Sequence, residues 1–195
     1  MMVDALDGER AERIVLRPSD LPGGGWEAAP APESAAEAGD DLLDACMAGF
    51  PDPDVMASAE SSRFTRNDAL AYSVAWVLAS EAAAEIALAT LAHERFASAF
   101  VAGMAAEVDA EEGSAELLGH VADPVEPLDA AGQSAAHQAR LTVANAEGLM
   151  AIHLELLALR EDRAVTLVIL ADSPDPMAPA DVRTLAGRVA SRLSA

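Results

Sequence analysis

In Ala69-Leu70-Ala71-Tyr72-Ser73-Val74-Ala75-Trp76-Val77-Leu78, large and small side chains take turns. Leu70, Tyr72, Val74, Trp76 and Leu78 are bulky, while Ala69, Ala71, Ser73 and Ala75 are small. A period of two is the signature of a strand, not a helix. Its bulky face belongs on a core. Its small face suits close-packed helices or water. Ser80 then caps a helix with Glu81 in the first turn. That helical run continues to about Val108 with a break near His93, and Phe96, Phe100 and Met104 share one of its faces.

Downstream, strand signals follow one another without intervening helices. Leu117–Leu128 is expected at a sheet edge, because Pro124 and Pro127 cannot donate to a ladder on both sides. Gln138–Ala146, Leu149–Leu159 and Arg163–Ala171 follow, joined at Asn145–Gly148 and Arg160–Arg163. Such short connections force antiparallel neighbours. Ile152, Leu154 and Leu156 mark one strand's buried face, and His153 and Glu155 the other. Val165–Leu170 is apolar on both faces, so that strand is expected at the centre. Ser173-Pro174-Asp175-Pro176 is a stop, and a final helix from about Ala178 to Leu193 places Val182, Leu185, Val189 and Leu193 on one face. The fold class expected is α+β, a mainly antiparallel sheet of about five or six strands packed with helices. Residues 1–13 form a polar lead, and residues 14–195 a single α+β domain.

Upstream, Pro30 to Gly39 has the composition of a solvated loop. Asp40–Gly49 suits a short helix with Leu42, Leu43, Cys46 and Met47 as its apolar stripe, and Pro51–Asp54 a linker. In Leu16-Arg17-Pro18-Ser19-Asp20-Leu21-Pro22-Gly23-Gly24-Gly25-Trp26, a Pro-bounded turn and a Gly triplet make a tight corner that delivers Trp26 to a core or a groove.

The charge is lopsided: 33 acidic residues against 12 basic ones, a net of −21, with every basic residue an Arg. A GC-rich genome or a salt-rich interior would each produce this acid coat. Such a surface repels phosphate backbones and anionic membranes, so nucleic acid is excluded as a partner. No stretch reaches the length of an apolar membrane span, so no membrane insertion is expected. Met1–Arg13 carries Asp4, Asp7, Glu9 and Glu12 and is no signal peptide, which gives a cytoplasmic expectation, with an extracytoplasmic location as the alternative if a signal was removed. Cys46 is the single cysteine, so no internal disulfide can form. It is read as a small buried hydrophobe whose acidic neighbours Asp40, Asp41 and Asp44 disfavour the thiolate.

No catalytic set emerges. His120, His137 and His153 fall on expected strands and could share a face, but no metal-ligand spacing is present and no metal is expected. The acidic run Glu107–Glu116 lacks the calcium-loop pattern. The Gly triplet lacks both phosphate-loop patterns, and no cofactor is expected. Glu155, set in an apolar strand beside His153, is the one carboxylate placed to have a raised pKa, against the plainer reading of an exposed face. Trp26, Tyr72 and Trp76 could line one side of the sheet as a groove with few polar groups, the usual form of a small-molecule site; alternatively all three are core. The candidate ligand-binding residues are therefore Trp26, Tyr72, Trp76, His153 and Glu155.

Taken together, the Leu16–Trp26 corner, the short acidic helix Asp41–Gly49 with Cys46 in it, Arg63-Phe64 before the long strand, the Arg95-Phe96 helix after it and the C-terminal strand, Pro-rich stop and Arg-bearing helix resemble an actinobacterial group of sensor-domain-like and lipoprotein-like domains. Relatives in that group include extracytoplasmic domains of serine/threonine kinases, with an α/β sandwich similar to the PsbP-like fold. The resemblance implies ligand or partner binding without catalysis. The group often carries a second cysteine near the Arg95–Val101 helix, paired with the first; here Phe96-Ala97-Ser98-Ala99-Phe100 contains none. The function expected is a non-enzymatic binding or sensor-like domain for a small apolar ligand or a protein partner. The alternative is an interaction or scaffolding protein that forms a homodimer through its sheet.

Overall fold

The alternating strand is β4, Ala69–Leu78. A computed structural model describes residues 5–29, 42, 43, 45–110, 115–125, 133–145 and 148–194. Ahead of β4 come helix α1 (Ala5–Ile14), a 3-10 turn (Pro18–Asp20), and strands β1 (Glu27–Ala29), β2 (Val55–Glu60) and β3 (Arg63–Arg66). After it come α2 (Glu81–Leu91), α3 (Glu94–Ala110), β5 (Ala115–Val125), β6 (Gln133–Asn145), β7 (Gly148–Glu161), β8 (Ala164–Asp172) and α4 (Pro179–Leu193). All the strands join one antiparallel sheet in the order β1-β3-β4-β8-β7-β6-β5, with β2 pairing β4 beside β3.

This gives eight strands among the described residues, which corrects the expectation of five or six. The additions are β1, β2 and β3. They are only 3 to 6 residues long, and Glu-Ala-Ala and Val-Met-Ala-Ser-Ala-Glu are rich in residues with little strand preference. β2 and β3 form because β4 offers an edge to pair with, and β1 in turn pairs with β3. The Pro30–Gly39 loop lies outside the described residues, as do residues 1–4 of the N-terminal lead.

Each side of the sheet carries helices. On one side Ala71, Ala75, Leu157, Leu159, Val168 and Leu170 meet Leu185, Val189 and Leu193 of α4 and Ile14 of α1. On the other, Val74, Leu78, Leu156, Leu167 and Ile169 meet Leu88 and Leu91 of α2 and Phe96 and Phe100 of α3. The small residues of β4 serve close approach. Ser73 is wholly buried, and its hydroxyl accepts from the Leu16 amide at 2.7 Å, which seats the chain leaving α1 directly on the strand. β8 lies between β4 and β7 and is buried on both faces, as its unbroken apolar run requires. Ser80 caps α2 by accepting from the Ala83 amide at 3.1 Å, and the helical run breaks at Ala92-His93. No helix among the described residues is long and apolar enough to cross a membrane.

Arginines tie the layers. Arg160, buried, donates to Gln133 and to the Glu81 carbonyl. Arg163 reaches the Leu78 carbonyl and Asp7 of α1. Arg188 and Arg192 of α4 hold the Arg13–Asp20 segment through its carbonyls. The guanidinium fork supplies donors that a lysine could not aim in this way, so a lysine-free chain still satisfies its loop carbonyls.

Candidate ligand cavity

Period-two geometry sends Val74, Trp76 and Leu78 to the α2 side of β4. β2 runs alongside with Ser58 opposite Trp76, Glu60 opposite Val74 and Val55 opposite Leu78, and its register slips by one residue between Val55 and Ala57. Residues 42, 43 and 45–47 are helical and bring Leu43 and Met47 over this face. Asp52 and Pro53, and Ala87 and Leu91 of α2, complete the lining. These residues enclose a cavity of about 370 Å³, open on one side. That volume lies within the range of small-molecule sites. Its floor is apolar and continuous with the core cluster around Phe96 and Phe100. Asp52, Ser58 and Glu60 are its polar residues and all three are exposed.

Of the five residues singled out from sequence, Trp76 lines this cavity, half-buried. Tyr72 lies on the same face one alternation before Val74, with the Arg63 guanidinium 5.4 Å from its ring centroid. Trp26 does not share their side of the sheet. It packs against the cluster on the α4 side, its indole N–H donates to the Pro22 carbonyl at 2.9 Å, and Arg66 stacks over it at 4.6 Å. The expectation of one aromatic groove is corrected accordingly, because the corner at Leu21–Gly25 enters the sheet from its other face.

His153 and Glu155 project from β7 on the face of Leu157 and Leu159, again opposite the cavity. Glu155 is 5% exposed, not on a solvated face. Its Oε1 accepts from Gln138 Nε2 at 3.2 Å, and its Oε2 has no hydrogen-bond partner among the described residues. Burial pushes its carboxyl above the ordinary value; the Gln138 bond opposes this, and the nearby Asp172 charge adds to it. The histidines do not converge. His137 is buried on the opposite face from His153, with Nε2 3.0 Å from the Leu91 carbonyl, and His93 lies edge-on to Phe50. Among the described residues no group of three or more His, Cys, Asp or Glu could hold a metal ion; positions 111–114 of the acidic run lie outside them.

Cys46, on the helical turn above the cavity, is 3% exposed, and burial pushes its thiol up to about 11. The cause is desolvation by burial; the acidic neighbours Asp40, Asp41 and Asp44 lie outside the described residues. Ser58, Glu60 and Asp52 were not singled out from sequence. Only the β2–β4 register sets Ser58 and Glu60 beside Trp76, and β2 carries almost no strand signal of its own; Asp52 comes from the segment before β2.

No family model and no curated protein matches the chain. Among solved structures it is similar to the extracellular domain of PknH from Mycobacterium tuberculosis, at 11% identity and a TM-score of 0.39 over 95% of this chain and 93% of that one. It is also similar to an uncharacterized protein, the Rv0999 ortholog, from Mycobacterium smegmatis, at 11% identity and a TM-score of 0.39 over 93% of this chain and 85% of that one. At that identity and score neither likeness carries an argument about function, and neither is described as PsbP-like.

Proposed function

We propose that this chain is a non-enzymatic binding domain of sensor-like type that takes up a small, largely apolar ligand over Trp76. The cavity beside β4 carries this reading: it has the volume and the apolar floor of a ligand site, and a half-buried indole faces it. Against catalysis stands the separation of the groups. The raised carboxyl of Glu155 lies across the sheet from the cavity, and the described lining has no histidine to activate Ser58. The cytoplasmic expectation gains no support from the fold or from either likeness.

Native mass spectrometry of the protein purified from its own host tests the reading. A retained small molecule that is lost from an Ala87→Phe variant, which fills the cavity, supports it. A ligand retained equally by that variant overturns it.

One further observation favours the alternative of self-association. β5 is an edge strand, and Leu118, Val121 and Leu149 at that end of the sheet are 53%, 55% and 74% exposed. Sedimentation of the wild type against Val121→Lys distinguishes the two: a dimer lost on this substitution supports association through the sheet.

A further inference from the structure

Leu43 and Met47 line the cavity from a short stretch of chain that is no part of the sheet or of its long helices. The described residues of this stretch hydrogen-bond one another: the Ala48 amide donates to the Ala45 carbonyl at 3.3 Å, and the Phe50 amide to the Met47 carbonyl at 3.0 Å. Among the described residues, none from Leu42 to Phe50 has a hydrogen bond to the rest of the fold. Such a bond first comes at Asp54, whose carbonyl accepts from the Ala79 amide at 2.8 Å.

Side chains hold the stretch instead. At its start Leu42 fills a notch at Gly103 of α3, where any Cβ would collide with Leu42 Cδ1. At its end Phe50 is clamped, with the Arg95 guanidinium 4.0 Å from its ring centroid and His93 edge-on at 5.5 Å. Gly49 comes just before the clamp, exposed and at a φ of 79°, which frees it from the steric limits of other residues. A segment with few backbone bonds to its surroundings opens before the core does. The Leu42 latch can therefore release while Phe50 stays in place and Gly49 takes up the rotation. Leu43, Cys46 and Met47 move with the latch and uncover the cavity beside Trp76.

We propose that the stretch carrying Leu42, Leu43, Cys46 and Met47 is a lid on the cavity, latched by Leu42 in the Gly103 notch and hinged at Gly49, which swings from α3 to admit the ligand. A ligand under Leu43 and Met47 adds contacts that only the closed lid makes, so occupancy shifts the lid toward closure. The lid governs access to the site proposed above, and the inference rests on that reading.

Cys46 reports the opening, because it is 3% exposed and lies on the lid itself. Its labelling by iodoacetamide is followed across a urea series below the unfolding transition. The dependence on urea measures the surface that the opening exposes, and its slope should be less than about a third of that for global unfolding by circular dichroism. Gly103→Ala evicts Leu42 yet puts a better helix former into α3, so labelling should speed by roughly tenfold while the global urea midpoint changes little. Leu42→Ala removes the latch without touching α3 and should speed labelling too. Purified from the protein's own host, both variants should retain less small molecule than the wild type in native mass spectrometry. Labelling with the slope of global unfolding, at a rate that neither substitution changes, overturns the lid and leaves the cavity reading standing. Faster labelling with retention unchanged overturns the lid's control of the site. The cavity reading fails by a different result, equal retention by Ala87→Phe.

Discussion

Asp20 and Arg192 face each other as a two-pronged ion pair, Nη1 to Oδ1 at 2.6 Å and Nη2 to Oδ2 at 2.7 Å, across 172 positions of chain. Asp20 ends the 3-10 turn and Arg192 lies in the last turn of α4, so the pair closes the N-terminal segment onto the C-terminal helix. The Asp20 side chain is 4% exposed, and its Oδ2 also accepts from the Arg17 amide at 2.8 Å. Removing one member leaves the other's buried charge uncompensated, with only backbone bonds: Arg192 to the Arg13 and Val15 carbonyls, Asp20 from the Arg17 amide. Asp20→Ala is expected to cost about 3–5 kcal/mol in urea unfolding. A double-mutant cycle with Arg192→Met should return a coupling above ~1.5 kcal/mol, larger than a surface pair gives. A coupling of only a few tenths would mean that the pair is no more than a solvated contact.

The glycine corner makes a prediction that separates two causes of strain. Gly23, Gly24 and Gly25 all have positive φ, at 79°, 68° and 74°. A Cβ on Gly23 would meet Arg66 Nη1 at 2.6 Å, whereas one on Gly24 would meet nothing within 4 Å. Arg66 also donates to the Pro22 carbonyl at 2.9 Å, the same oxygen that Trp26 uses. Gly24→Ala should therefore cost ~1–2 kcal/mol from backbone conformation alone. Gly23→Ala should cost more than that and should also change Trp26 fluorescence, because Arg66 must leave the ring. Equal costs with unchanged fluorescence would show that the stacking is unimportant.

Those glycines also show what the sequence makes legible. A Pro-bounded Gly triplet marks a corner wherever it lies, since the backbone constraint is local. The same holds for β4, where alternation marks both faces, and for the Ser80 cap and the central position of β8. The side of the sheet that Trp26 reaches is a different kind of fact. It depends on how the chain after α1 crosses β4 at Ser73, a contact 57 residues apart. Ser58 and Glu60 became neighbours of Trp76 through a pairing that a weak strand accepts only because β4 is already present. Glu155 illustrates the remaining gap: its position within an apolar strand is plain in sequence, but its burial comes from packing around β7 that no local pattern encodes.

Glu155 gives the pH dependence its sign. Its folded-state pKa is raised above the ordinary value of 4.5, so the folded chain keeps a proton that the unfolded chain has released. Stability from this site is fully present below the unfolded value and is lost as pH climbs through the folded one. Glu155→Gln, which mimics the protonated form, should match the wild type near about pH 4 and exceed it near about pH 8 in thermal melts. A variant less stable than the wild type at the higher pH would mean that the charged carboxylate is the form the fold favours.

Cys46 should be inert. With its thiol pushed up to about 11 by burial, the thiolate fraction at neutral pH is small and access is poor. Iodoacetamide should modify it more slowly in the native protein than a free model thiol, with the full rate returning in denaturant. Cys46→Ala should leave the fold intact at a modest packing cost. Faster labelling in the native state would identify an activated thiol and reopen an enzymatic function.

Trp76 and Phe96 are both large aromatics on the same face of the sheet, yet they should respond differently to truncation. Phe96 is 0% exposed and stacked against Phe100 at 6.4 Å, so Phe96→Ala leaves a cavity in the core and should cost about 3–5 kcal/mol. Trp76 is half-buried and one side of it already faces open space, so fewer contacts are lost. Trp76→Ala should cost only about 1–3 kcal/mol. Its larger consequence should be functional, because the indole is the surface on which the proposed ligand rests. The two effects are read on one preparation: urea unfolding gives the stability, and native mass spectrometry gives the retention of ligand. A Trp76→Ala protein as unstable as Phe96→Ala would make Trp76 a core residue and remove the floor of the proposed site. A modest loss of stability together with loss of the retained ligand is the outcome expected of a ring that lines a binding cavity.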